Sequence, residues 1–149
     1  MKLMARIVLL LSAFMATAAI AKTDIWSVKS TFLNVREQAT TSSPILYKIV
    51  KHFPLEVVGK KGVWRQGKDF EGDTGWVHSD YLSTAKTAIV TNEFANIRAS
   101  ATISSEKVGK ADYGDVFPVL SVKDKWVEIQ MPDSNESAWI YKSLLWDIR

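Results

Sequence analysis

The sequence predicts an all-β protein built from two small barrels in tandem, and three observations carry that reading. Phe32-Leu33-Asn34-Val35-Arg36 returns 62 residues later as Phe94-Ala95-Asn96-Ile97-Arg98. The same offset carries Ala39-Thr40, Ser42-Ser43, Lys48, Val57 and Trp64 onto Ala101-Thr102, Ser104-Ser105, Lys110, Val119 and Trp126. After a one-residue insertion, Gly75-Trp76-Val77 falls on Ala138-Trp139-Ile140 and Leu82 on Leu145. A repeat of this kind is one small fold built twice, so a residue essential to a shared activity has to appear in both copies. The second observation is spacing: runs of Val, Ile, Phe and Trp are broken about every eight to twelve residues by turn clusters, as in small barrels and sandwiches. The third is that no window shows an apolar stripe of helical period.

Residues 1–21 stand apart. Lys2 and Arg6 make a basic start, residues 7–20 carry no charge, and Ala19-Ile20-Ala21 is a small-x-small cleavage site ahead of Lys22-Thr23-Asp24. This is the pattern of a secretory signal peptide. A membrane anchor is the competing reading, but the uncharged run is shorter than the roughly 20 residues a span requires, and no second apolar run follows. The chain has no cysteine to carry a lipid anchor, so cleavage after Ala21 predicts a soluble periplasmic or secreted product. Cleavage removes two of the 19 Lys and Arg, leaving 17 against 16 Asp and Glu and a formal charge of +1. A nearly neutral product lacks the basic footprint of phosphate-backbone binding, and no nucleic-acid partner is expected. The lack of cysteine also excludes disulfides, thiolate metal sites and a cysteine nucleophile. Stability then rests on apolar burial near the lower size limit for a single core. Six Trp, four Tyr and the five of six Phe that follow Ala21 help, because each ring buries a large area.

In chain order, the first copy reads as strands at 25–29, 32–36, 45–50, 55–60, 63–68 and 74–77. The second repeats the layout at 88–91, 95–98, 107–110, 116–122, 126–131 and 137–140. Turn chemistry fits the gaps. Lys60-Lys61-Gly62 is tight enough for a hairpin, and Lys123-Asp124-Lys125 does the same in the second copy. Polar hairpin loops follow at 67–73 and 132–137. The Thr- and Ser-rich segment 37–44, matched by 99–106, is long for so tightly turned a barrel and is a candidate binding loop. Residues 83–87 form a short polar join, which divides the chain into domains at 22–83 and 84–149 and predicts a semi-rigid pair in contact.

At this point the residues resemble a known family. Leu33-Asn34-Val35-Arg36, the Ser/Thr loop ending in Ser43-Pro44, Leu55-Glu56-Val57-Val58, Trp64, and Gly75-Trp76-Val77-His78 with Tyr81-Leu82 are together similar to a bacterial SH3-like (Src-homology-3) domain. The second copy resembles it through Ala95-Asn96-Ile97-Arg98, Trp126-Val127-Glu128-Ile129 and Ala138-Trp139-Ile140, with Ala95 in place of Leu and Ala138 in place of Gly. The resemblance implies two strongly bent barrels of about five or six strands each. It also implies a non-catalytic module common in exported bacterial proteins, where it engages cell-wall peptides or protein partners.

Trp64 and Trp126 are the leading groove candidates, since they sit near hairpin turns where a ring stays half exposed. Tyr47, Phe70, Tyr81, Tyr113 and Tyr141 complete the aromatics able to line a recognition surface. Arg36 and Arg98 read in two ways. Either they are handles for a ligand carboxylate, or their heads lie over the barrel while Asn34 and Asn96 hold the following turn. Strand alternation favours the second. Trp76 and Trp139, flanked by small residues, are assigned to the core or its edge. Asp69, Glu71, Asp73 and Asp80 have spacings that invite a calcium-loop reading. Thr74, however, stands where such a loop needs Gly, and the flanks read as strands, so a solvated hairpin tip is expected. His52 and His78 fall on Gly114 and Tyr141, which excludes a histidine base or zinc ligand shared by the copies. There is no G-x-S-x-G and no Gly-rich phosphate loop, so no catalytic residue, metal or cofactor is expected.

The functional expectation is an exported, non-catalytic binder of the cell envelope. It would recognise wall peptide or peptidoglycan in an aromatic groove between the Ser/Thr loop and the hairpin loops. Two weak grooves on a short join would gain avidity on a repetitive ligand. The alternative is a periplasmic adaptor that docks on an envelope protein, with the second copy bracing the first. A wall hydrolase would need site chemistry the chain does not offer.

Overall fold

The computed structural model describes residues 23–146 and 148. The signal-peptide stretch lies outside them. The first copy comprises β1 Ile25–Val28, β2 Phe32–Arg36, β3 Ile45–Val50, β4 Pro54–Lys61, β5 Trp64–Lys68, β6 Thr74–His78 and β7 Leu82–Ser83. The second comprises β8 Thr87–Ile89, β9 Phe94–Arg98, β10 Lys107–Asp112, β11 Val116–Lys123, β12 Trp126–Gln130 and β13 Ser137–Tyr141. Two antiparallel sheets result, ordered β3-β2-β6-β5-β4-β1-β7 and β10-β9-β13-β12-β11-β8. The fold is all-β, two SH3-like units in tandem. Among the described residues no helix is long and apolar enough to cross a membrane.

The strands fall within two residues of their expected ends, with instructive exceptions. β7 is too short to show any periodicity in sequence, yet it pairs with β1 through Val28 and Leu82. An isolated bridge between Val90 and Leu145 does the same in the second copy. β5 ends at Lys68 as expected, and the loop that follows is therefore 69–73, shorter than the 67–73 assigned to it. Single 3-10 turns at Ser79–Tyr81 and Lys142–Leu144 lead into these closing contacts. The two tight hairpins turn on Gly62 and Asp124, at φ +59° and +53°, where a left-handed residue matches the twist of the flanking strands.

Alternation places the core. In β2, Leu33 and Val35 are buried while Asn34 and Arg36 face outward, and β6 buries Gly75 and Val77 while Trp76 and His78 face outward. Ala95, Ile97, Ala138 and Ile140 repeat this in β9 and β13. Each copy closes its own centre: Val28, Leu33, Val35, Ile49, Leu55, Val77 and Leu82 in one, with Ala88, Val90, Ile97, Phe117, Val127, Ile129 and Ile140 among those in the other. The two centres reach the same shape with different residues. Leu33, Ile49, Leu55, Gly67 and Gly75 become Ala95, Ala111, Phe117, Ile129 and Ala138, so volume removed from β9 and β10 is restored from β11 and β12. Such exchange is how a close-packed interior tolerates substitution.

The copies touch. Ser27 Oγ donates to the Ala85 carbonyl at 2.9 Å and lies 3.2 Å from Ser83 Oγ, tying the join to β1. Farther along, Phe70 packs on Tyr113 at 5.3 Å and on Phe53 at 6.1 Å, and the Tyr113 hydroxyl donates to Glu71 at 2.7 Å. That carboxylate holds the phenolic proton and raises the Tyr113 pKa.

Candidate functional site

The outward faces of β2, β5 and β6 form a groove of about 590 Å³ bordered by Arg36, Lys48, Trp64, His78 and Tyr81, with Thr41 at its rim. Antiparallel register explains the assembly. Trp64 lies opposite His78 across β5 and β6, and Arg36 lies opposite Trp76 across β2 and β6. The rings of Trp64 and His78 meet edge to face at 5.4 Å, and His78 meets Tyr81 in the same manner at 5.8 Å. Such T-shaped contacts align the positive edge of one ring with the negative face of the next. The second copy builds an equivalent groove of about 480 Å³ bordered by Asn96, Arg98, Ile103, Trp126, Tyr141 and Leu144. Trp126 and Tyr141 meet edge to face at 5.2 Å.

The Ser/Thr loop that walls each groove is clamped in the same way twice. Arg36 donates to the Ser43 carbonyl at 2.8 Å, and Ser43 Oγ accepts the Gln38 N–H at 2.8 Å. Arg98 donates to the Ser105 carbonyl at 2.7 Å, and Ser105 Oγ accepts the Ser100 N–H at 2.8 Å. Thr40 with Ser42, and Thr102 with Ser104, add a hydroxyl pair at each tip. The turn is thus held by Arg and Ser, where the sequence reading assigned it to Asn34 and Asn96; those two line the grooves instead. An arginine has five N–H donors, so the clamp leaves others for a ligand.

Of the nine candidate residues, Arg36, Trp64 and Tyr81 converge on the first groove, and Arg98, Trp126 and Tyr141 on the second. Tyr47, Phe70 and Tyr113 line neither. Phe70 and Tyr113 meet across the junction, and Tyr47 donates its hydroxyl to Asp69 at 3.2 Å. Trp76 and Trp139 are half-buried on the outer faces, out of phase with their buried neighbours, and so belong to neither apolar centre. Sequence reasoning missed His78, Thr41 and Lys48 as groove residues. Two of them have counterparts that border the second groove, Tyr141 for His78 and Ile103 for Thr41, a correspondence that shows only once the strands are paired.

The acidic turn is a hairpin tip. Asp69, only 5% exposed, accepts the N–H groups of Glu71 and Asp73 at 3.0 and 2.9 Å and so folds the turn around its own carboxylate. Burial, then the adjacent Asp69 carboxylate, pushes the Tyr47 pKa far above its ordinary 10.0. A raised phenol favours the neutral form, so its contribution is complete below pH ~10 and is lost as pH climbs through the folded-state value. Tyr47→Phe is therefore expected to lower the urea midpoint at pH 8, the removed hydrogen bond being worth about 1 kcal/mol. The gap to wild type should narrow by pH 11. A gap independent of pH would show that the hydroxyl is not what Asp69 holds.

The bacterial SH3 domain model matches the chain twice, over residues 31–83 and 93–145. The chain is 29% identical over 124 residues to YrvJ of Bacillus subtilis (strain 168), whose name assigns it an N-acetylmuramoyl-L-alanine amidase activity. The match takes in 72% of this chain but 24% of YrvJ, so this chain spans about a quarter of that relative's length. Among solved structures, a protein of the NlpC/P60 family from Bacillus cereus ATCC 10987 is 14% identical with a TM-score of 0.39, covering 81% of this chain and 55% of that one. NlpC2 from Trichomonas vaginalis is 10% identical with a TM-score of 0.39, covering 85% of this chain and 49% of that one. The CBD of endolysin LysPBC5 is 13% identical with a TM-score of 0.31, covering 83% of this chain and 92% of that one. At these scores the structural likeness is remote. The duplicated match, taken with the two barrels, identifies the chain as a member of the bacterial SH3 domain family.

Proposed function

We propose that this chain is an exported, non-catalytic binder that holds cell-wall peptide or peptidoglycan in its two grooves. The observation that carries the reading is the duplicated groove: Arg, Asn and Trp at the same three places, walled by a loop clamped by the same hydrogen bonds. Both copies keep outward-facing aromatic and polar residues around a concave surface, the kind of lining that recognition sites use, and the arginines that clamp the loop retain further donors there. The relative named for action on N-acetylmuramoyl-L-alanine supports a ligand of the wall. Two sites on one packed unit suit a polymer that presents the same fragment repeatedly, since the second contact forms at high effective concentration.

Sedimentation of the mature protein with purified sacculi tests this directly. Co-pelleting is expected, and soluble wall fragments should change the tryptophan fluorescence, because Trp64 and Trp126 border the grooves. Protein left wholly in the supernatant would transfer the reading to a periplasmic adaptor that docks on an envelope protein.

A further inference from the structure

The two grooves share a frame but differ in chemistry. We propose that they read different parts of one ligand, the first taking a carboxylate and the second an uncharged apolar group. The proposal rests on the wall-binding reading above.

The decisive difference is a lysine. Lys48 borders the first groove. Its counterpart Lys110 does not border the second: its Nζ lies 4.7 Å over the Phe94 ring and 3.8 Å from Asp112 Oδ1. The cause is two residues along the same strand. Residues at i and i+2 share a face, and the partner of Lys48 at that spacing is Val50, whereas Lys110 has Asp112. The ring is common to both copies, since Phe32 stands where Phe94 does and borders the first groove. What distinguishes them is Asp112 in place of Val50, an exposed acid that biases the Lys110 ammonium toward Phe94 by about fivefold at most.

Two further exchanges point the same way. In the first copy His78 Nδ1 accepts the Asp80 N–H at 3.2 Å, which leaves the Nε2–H as a donor. Asp80 Oδ2 lies 3.8 Å from His78 Nδ1, on the side of the ring away from Nε2, and its side chain is 79% exposed, so water screens it. In the second copy this place belongs to Tyr141, edge to face with Trp126. At the rim, Thr41 and Tyr81 are replaced by Ile103 and Leu144, and Ile103 is 79% exposed. The first groove therefore offers Arg36, Lys48 and a histidine N–H, the charge-assisted donors that a carboxylate takes up. The second offers Arg98 and a rim of Ile, Leu and Trp suited to an apolar group.

The test uses the mature full-length chain with native sacculi and with sacculi whose carboxyls have been amidated. Wild-type binding is expected to fall roughly tenfold on amidation. Val50→Asp, which installs the acid of the second copy at an exposed position, should weaken binding to native sacculi about twofold to fivefold and leave binding to amidated sacculi unchanged. Ile103→Ser should weaken both alike. Both side chains are exposed, and unchanged thermal melts would confirm intact folding. Equal wild-type binding to native and amidated sacculi, or Val50→Asp indistinguishable from wild type on native sacculi, would overturn the division of labour and leave wall binding standing. No binding to either preparation would overturn the wall reading, and this proposal with it.

Discussion

Trp64→Ala combined with Trp126→Ala is expected to abolish measurable sacculus binding while leaving both barrels folded. Each ring stands half-buried on an outer face, and neither belongs to the apolar centres, so truncation opens no core cavity. What it removes is the large apolar wall of each groove, against which His78 and Tyr141 are also oriented. A buried aromatic anchor of this kind typically contributes about 2 kcal/mol or more to binding, roughly thirtyfold per groove. Each single variant should retain part of the affinity, because the intact groove still engages the polymer, whereas the double variant also loses the avidity between them. Sedimentation with sacculi and thermal melting of all three variants check this. Unaltered binding by the double variant, with its melt intact, would remove the grooves from recognition.

The largest effect on stability is expected from Leu55→Ala. Leu55 is 2% exposed, and the residue facing it is Gly67, where a Cβ would stand only 3.0 Å from one Leu55 methyl carbon and 3.3 Å from the other. With a glycine opposite, that side of the site has no side chain to fill the vacated volume, so the cost should lie toward the upper part of the usual range of about 2–5 kcal/mol. Gly67→Ile by itself should also destabilise, since the present Leu55 already occupies that space, by about 1–3 kcal/mol. The two together should recover part of the loss, because the second copy fills the same region with Ile129 beside Phe117. Hydrogen exchange supplies the readout. Amides of β2 and β6 should lose protection in Leu55→Ala, whereas those of β9 and β13 should keep theirs. Equal loss in both copies would mean that the two centres do not unfold independently.

Much of the fold was legible in advance because the apolar pattern has period two and its breaks are marked by residues with turn geometry. Val35 and Ile97 alternate with Asn and Arg so regularly that only one face of β2 and β9 can be buried, whereas Val77 and Ile140 are flanked by Trp76 and His78 or by Trp139 and Tyr141, which leaves the buried face of β6 and β13 ambiguous. β7 escaped notice because two residues cannot display a period. The loop clamp was half legible: Arg36, Ser43 and their repeats stood out, but which group accepts from the guanidinium depends on how 37–44 folds back. The small residues flanking Trp76 and Trp139 suggest the core or its edge, yet parity with Val77 and Ile140 puts both on the outer face.

The amino-acid sequence alone determined the duplication and the order of the longer strands along the chain, since these follow from local periodicity and turn chemistry. Only the tertiary structure decided which aromatics share a groove. Trp64, His78 and Tyr81 meet because antiparallel register brings β5 against β6, while Phe70 and Tyr113 are drawn to the junction between copies. It also decided that Lys48 borders a groove and Lys110 does not. Side-chain direction within one strand is a local property. Proximity across strands is set by how distant segments pair, and no one-dimensional pattern encodes it.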